Sequence, residues 1–186
     1  ATITNYITMA DWFQDLFDCG IGGPTILNVA AGSGPYVMGV VISGINGLSS
    51  TNSVTMNGNG VTVNRGGNTS FLTFDGITHF TVENFNFINE TPNTSMFGIM
   101  MRNGCDSITI KNNTINVGTG YTTSLSCGIA SSNSITSPSS YGNNANNITI
   151  DSNTIIGAYY GIRLNGVSST VPTTGNKITN NTIQDV

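Results

Sequence analysis

The phrase SITIKNNTI, residues 107–115, returns as NITIDSNTI at 147–155 and as KITNNTI at 177–183, with a looser copy, FTVENFNFI, at 80–88. Each copy alternates like a strand, breaks at asparagine and starts a strand again. Aligned, Val82, Ile110, Ile150 and Ile178 fill one column, and Phe87, Ile115, Ile155 and Ile183 fill another. The steps along the first are 110−82 = 28, 150−110 = 40 and 178−150 = 28. The long step contains SSNSITSPSSYGNNAN, residues 131–146, made almost wholly of loop-forming residues. Without about twelve of them the period is constant, so 131–146 is expected to be an insertion that protrudes from the repeat. A second phrase precedes each unit: FGIMMRNG (97–104), CGIASSN (127–133), YGIRLNG (160–166) and the looser SFLTFDG (70–76).

Repeats of this length stack, and period-2 alternation with β-branched residues, Gly and Asn excludes helical repeats. Short strands in a long unit make the chain coil, laying each strand beside its copy in the next unit. The expectation is an all-β fold, a right-handed parallel β-helix of about five to seven coils; the hand follows the rule for parallel crossovers. A coil must turn sharply between strands, and Asn tolerates the left-handed region better than other residues with a side chain. Asn113, Asn153 and Asn181 share the turn column. They are expected to make that turn and to stack as a ladder of amides that satisfies buried backbone groups. Phe85 occupies the same column one unit earlier, so the ladder either starts after it or that coil turns differently. These repeats resemble those of right-handed parallel β-helix proteins of the pectate-lyase-like type, over roughly residues 25–186. The resemblance implies the fold; that architecture carries lyases, hydrolases, tailspikes and adhesins alike.

Residues 1–24 read as an N-terminal cap with a helix over 9–18, and 25–186 as β-helix coils. In TMADWFQDLFDCG (8–20) Thr8 is placed as N-cap and Asp11 as the acid three residues on. Trp12, Phe13, Leu16 and Phe17 form an apolar stripe and Gly20 ends the helix. Such a helix suits the plug of an open solenoid core. The stretch that follows is similar to a run found in large proteins exported by the bacterial type IX secretion system: Cys19, Gly20, Gly23 and Pro24, then Leu27, Asn28 and Val29, then Ile42, Ile45, Gly47, Ser50, Thr51, Asn52, Val54 and Thr55. That resemblance implies export by the type IX machinery to the cell surface or medium; polysaccharide or cell-surface glycans are separately expected as partners. The chain reads as the front part of a longer polypeptide, and the last coil, NNTIQDV, as an open end able to self-associate.

Charged residues are only 8% of the chain, with Lys+Arg 5 against Asp+Glu 9 and a net charge of −4. That balance argues against nucleic acid as a partner. No apolar run reaches the ~20 residues of a membrane span, and no basic-then-apolar leader opens the chain at Ala1. Cys105 and Cys127 could form a disulfide or remain small buried thiols.

The carboxylates are Asp11, Asp15, Asp18, Asp75, Glu83, Glu90, Asp106, Asp151 and Asp185. No short cluster of them appears, nor any Ca²⁺-loop motif, and His79 has no second ligand at metal spacing. No catalytic residue, metal or cofactor is expected. One outward column, Glu83, Lys111, Asp151 and Thr179, would stack Lys111 between two acids, either as an acid–base pair or as an exposed charge ladder. Arg163, beside Tyr159 and Tyr160, is the leading ligand-binding candidate, since Arg with aromatic rings suits sugars and carboxylates. Arg102 is expected to lie in the neighbouring coil near it. The sequons at Asn68, Asn89, Asn93, Asn112, Asn147 and Asn180 follow from an Asn- and Thr-rich composition. Three functions fit: a non-catalytic segment of a secreted adhesin or surface fibre, a polysaccharide lyase or glycoside hydrolase, and a carbohydrate-binding module.

Overall fold

The computed structural model describes residues 5–66, 69–89, 96–120 and 123–186; Ala1, Asn68, Glu90 and Asn93 lie outside them. Thr8 opens the helix α1 (Met9–Cys19): Asp11 N–H donates to its hydroxyl at 3.1 Å, and Thr8 N–H donates to the Asp11 carboxylate at 3.2 Å. Gly20, at φ 65°, ends it with an N–H bond to the Leu16 carbonyl. The stripe Met9, Trp12, Phe13 and Leu16 is buried in the same core cluster as Val29, Met38 and Ile42.

Every strand pairs parallel. The first coil is β1 (Thr25–Asn28), β2 (Tyr36–Met38) and β3 (Val40–Ser43). The second is β4 (Val54–Asn57), β5 (Thr62–Arg65) and β6 (Ser70–Asp75), and the third β7 (Thr78–Glu83), β8 (Asn86–Ile88) and β9 (Phe97–Arg102). The fourth is β10 (Asp106–Lys111), β11 (Thr114–Gly118) and β12 (Cys127–Ser131), and the fifth β13 (Thr149–Asp151), β14 (Thr154–Gly157) and β15 (Tyr160–Leu164). β16 (Lys177–Thr179) and β17 (Thr182–Gln184) begin a sixth. First strands stack as sheet A (six strands), second strands as sheet B (six) and third strands as sheet C (five).

The register is the one the repeats require. Val82, Ile110, Ile150 and Ile178 are successive Cα partners in sheet A, and Phe87, Ile115, Ile155 and Ile183 in sheet B. The Gly-Ile phrases form sheet C, where Ile99, Ile129 and Ile162 stack. Their glycines have a specific task. A side chain at Gly98 would overlap the Ile115 methyl and the Gly128 carbonyl; one at Gly128 would overlap Ile155, and one at Gly161 would overlap Ile183. Sheet B thus seats its isoleucine column against bare sheet C backbone, which keeps the interior narrow and dry.

The asparagine ladder is present. The Asn113 amide donates to Asn153 Oδ1 (3.1 Å) and the Val82 carbonyl (3.1 Å), and Asn153 repeats the pattern toward Asn181 Oδ1 (3.0 Å) and the Ile110 carbonyl (2.8 Å). Backbone N–H groups follow, Asn113 to Asn153 Oδ1 and Asn153 to Asn181 Oδ1. Phe85 tops the ladder: its N–H donates to Asn113 Oδ1 (3.0 Å), and its ring stacks inside on Phe87 at 5.3 Å. The turn itself corrects the sequence expectation. The left-handed residues are Asn84 (59°), Asn112 (56°), Ser152 (56°) and Asn180 (55°), one position before the ladder. The first residue of each pair bends the chain outward, which leaves the second to send its amide inward.

Of the two alternatives for Cys105 and Cys127, the structure has buried free thiols rather than a disulfide. Cys105 lies in the core, its Sγ donating to the Phe74 carbonyl, whereas Cys127 belongs to a separate apolar cluster with Phe97, Met100 and Ala130. One further expectation changes: 131–146 does not stand free of the solenoid. Ser131 ends β12, Pro138, Asn144 and Ala145 are buried, and Asn144 Nδ2 donates to the Asn165 carbonyl (3.0 Å) while Ala145 N–H donates to Ser131 Oγ (3.0 Å). A polar loop folds back here because side-chain amides supply the partners its backbone would otherwise take from water.

Candidate functional site

Sheet C carries Arg163 and Tyr160 on its outer face. Its outward rows run Ser70–Phe97–Cys127–Tyr160 and Thr73–Met100–Ala130–Arg163 across successive coils. Tyr160 and Arg163 share this face because Gly161 and Ile162 both turn inward, as Phe71 and Leu72 do in β6. The Arg163 guanidinium sits 4.4 Å from the Tyr160 ring centroid, and Tyr159 packs edge-on against Tyr160 at 4.8 Å. Tyr159 N–H donates to Ser126 Oγ (2.9 Å) and Tyr160 N–H to the Ser126 carbonyl (3.2 Å), which fixes both residues. Tyr159 is exposed, Tyr160 half-buried, and Arg163 makes no ion pair among the described residues.

Arg102 is not part of this group. It lies in β9, with β12 between it and β15, and pairs with Asp75 of β6 at 3.0 Å. The strand register decides this: Arg163 stacks over Ala130 and Met100, whereas Arg102 stacks over Asp75. The expectation that both arginines meet in neighbouring coils is therefore replaced by one aromatic-backed arginine and one ion pair.

The charge column behaves similarly. Lys111 stands between Glu83 and Asp151 in register but closes on Glu83 alone, at 2.9 Å. Asp151 takes the Thr179 hydroxyl, the Asn180 amide (2.9 Å) and the Ser152 hydroxyl (3.1 Å). The Thr179 hydroxyl, followed by Asn180, holds the Asp151 carboxyl below its ordinary value of 3.8. Asp15, Asp18 and Asp106 have comparable partners, whereas Asp185 at the end of the sixth coil has none among the described residues. Asp15 accepts from Tyr6 (2.9 Å), Asp18 from Gln14 (2.8 Å), and Asp106 from Ser107 (2.7 Å) and Asn147 (2.9 Å). Among the described residues no three His, Cys, Asp or Glu side chains converge on a point that could hold a metal. His79 sits in a left-handed row with Ser107 and Asn147, its Nδ1 buried without a partner. Burial pushes both inner thiols up, Cys127 to about 12.

Two shallow grooves meet at Gly60. One, of about 370 Å³, is bordered by Ser33, Pro35, Thr62 and Asn64; the other, of about 580 Å³, by Asn59, Asn84, Asn86, Asn112 and Thr114. Neither contains a titratable side chain, so their chemistry is confined to amide and hydroxyl hydrogen bonding. Sequence reasoning missed Asn165. Its amide donates to the Ser131 carbonyl (2.8 Å) and to the Pro138 carbonyl, and so ties the long loop to β15. One hint was available: Asn165 follows the Gly-Ile phrase where Arg102 does two coils earlier, so it should face outward.

No family model, no curated protein and no solved structure matches this chain. No helix among the described residues is long and apolar enough to cross a membrane.

Proposed function

We propose that the chain is a non-catalytic β-solenoid segment of a large secreted bacterial protein of the adhesin or surface-fibre type. The observation that carries this reading is the condition of the carboxylates. Asp11, Asp15, Asp18, Asp75, Glu83, Asp106 and Asp151 each have a hydroxyl, amide or cationic partner that holds them in the scaffold. Hydrolysis of a glycosidic bond ordinarily needs two carboxyl groups facing one gap, and these seven are engaged with scaffold partners instead. The walls offer in-register rows of neutral side chains instead, such as Thr55–Thr81–Thr109–Thr149 on sheet A. Such rows suit extended, low-charge contact surfaces. Export by the type IX machinery belongs to this reading.

A second reading rests on the Tyr159–Tyr160–Arg163 group: a glycan contact, with the exposed ring under a sugar face and the guanidinium on its oxygens. Incubation with neutral and acidic polysaccharides, with Ca²⁺ or with chelator, separates the alternatives. The first reading predicts no new reducing or unsaturated ends. Retention of a polysaccharide that is lost in Tyr159→Ala would favour the second, and chain cleavage would overturn both.

A further inference from the structure

Phe97, Met100, Cys127 and Ala130 lie on the outer face of sheet C, yet none has any exposed surface. Outward residues of a solenoid wall are ordinarily wet, so this strip has a cover. Segment 132–140 is anchored on either side of it. At one side the Ile135 carbonyl accepts from Thr69 Oγ1 at 3.2 Å, and Thr69 immediately precedes Ser70, the partner of Phe97 in the second coil. At the other side the Pro138 carbonyl accepts from Asn165, immediately after β15 in the fifth coil. A segment anchored at both places must pass over the third and fourth coils, where the four buried residues sit. Its base is closed: Asn133 N–H donates to the Ser140 carbonyl (3.2 Å), Ser140 N–H to Ser132 Oγ (3.1 Å), and Ser132 Oγ to the Ser137 carbonyl (2.6 Å). A compact loop with adjoining ends can move as one unit.

We propose that segment 132–140 is a strap that opens on its own, uncovering the Phe97–Met100–Cys127 strip beside Tyr160 and Arg163 while the solenoid stays folded. Two observations support this. Beyond Ser132 at its base, only Pro138 of the strap is buried, so the strap itself buries little apolar surface. Its anchor on the fifth coil is the side-chain amide of Asn165 rather than a strand ladder, and segments with few buried contacts open below the global unfolding free energy.

The three cysteines provide the test, because they sit in three environments: Cys19 exposed, Cys105 in the core, Cys127 under the strap. A buried thiol with its pKa pushed to about 12 is unreactive near neutral pH until uncovered. Labelling of the native chain with a maleimide, read by peptide mass spectrometry, should modify Cys19 at once and Cys127 at least about tenfold faster than Cys105. Asn165→Ala should accelerate Cys127 by about tenfold and leave Cys105 unchanged, one lost anchor being near that factor. Wild-type labelling in low urea is a control independent of any variant: Cys127 should show a weak urea dependence and Cys105 a steep one. Equal rates and equal urea slopes for Cys127 and Cys105 would mean that the strip is uncovered only by global unfolding, and would overturn the proposal.

Discussion

The residue that most constrains this fold is the second of each turn pair. Asn153 is 1% exposed, its amide satisfies the Ile110 carbonyl and its Oδ1 satisfies the Asn113 N–H. Asn153→Ala leaves both groups buried without partners, at ~1–3 kcal/mol for each. The expected loss is therefore about 2–6 kcal/mol by urea denaturation, near the whole stability of many domains. Asn112→Gly, one position away from the ladder, should be nearly neutral, because residue 112 supplies only a φ of 56° that glycine adopts without strain. A reversed order would move the ladder by one residue. The column was legible in the sequence because identical residues recur at one spacing. The division of labour inside the pair was not, since in NNTI both asparagines suit a turn and only the Ser152–Asn153 copy hints at which one is replaceable. Asp151 carries a pH effect. Its folded pKa is depressed by Thr179 and Asn180, so its stabilising contribution is complete above the ordinary 3.8 and is lost as pH falls through the lowered value. Asp151→Asn should thus flatten the decline of the thermal midpoint in acid below pH 3.8; an unchanged slope would remove Asp151 from that account.

At the scale of elements, sheet C depends on what its strands lack. Gly128→Ala forces a methyl against Ile155 and the Gly161 carbonyl, and the cost expected for such overpacking is about 1–3 kcal/mol. A neutral Gly128→Ala, by calorimetry, would mean that the two sheets separate readily and that the narrow interior is not a requirement. The Gly-Ile phrases marked these strands in the sequence, but the reason for the glycine needs the neighbouring wall, because the clashing methyl comes from a column in sheet B. The long loop shows the same limit. Its length followed from one 40-residue step, whereas its path depends on Asn165 and Thr69, which lie outside the loop and look like ordinary surface residues. Arg163 meets its tyrosines in space because they adjoin in sequence; Arg102 was misplaced because its neighbour in space is set by register.

For the whole molecule, stability comes from stacking, so protection should fall off along the solenoid axis rather than from centre to surface. β10, β11, β13 and β14 have paired strands on both sides, whereas β16 and β17 pair on one side only and are mostly exposed. Amide exchange should therefore be slowest in the fourth and fifth coils of sheets A and B and fastest in the sixth. The central claim, one in-register parallel solenoid in which residues 132–140 belong to no sheet, is open to a more direct measurement. In a chain with Cys19→Ser, Cys105→Ala and Cys127→Ala, the Cα partners Thr109 and Thr149 can be changed to Cys together. Neighbours in one parallel row lie about 4.8 Å apart, within disulfide reach. The account predicts rapid oxidation of Thr109→Cys with Thr149→Cys and none of Thr109→Cys with Ser137→Cys, the pair an uninterrupted 28-residue period would bring together. A disulfide in the second pair and none in the first would show that the long segment stacks as a coil, and would contradict the register on which the fold rests.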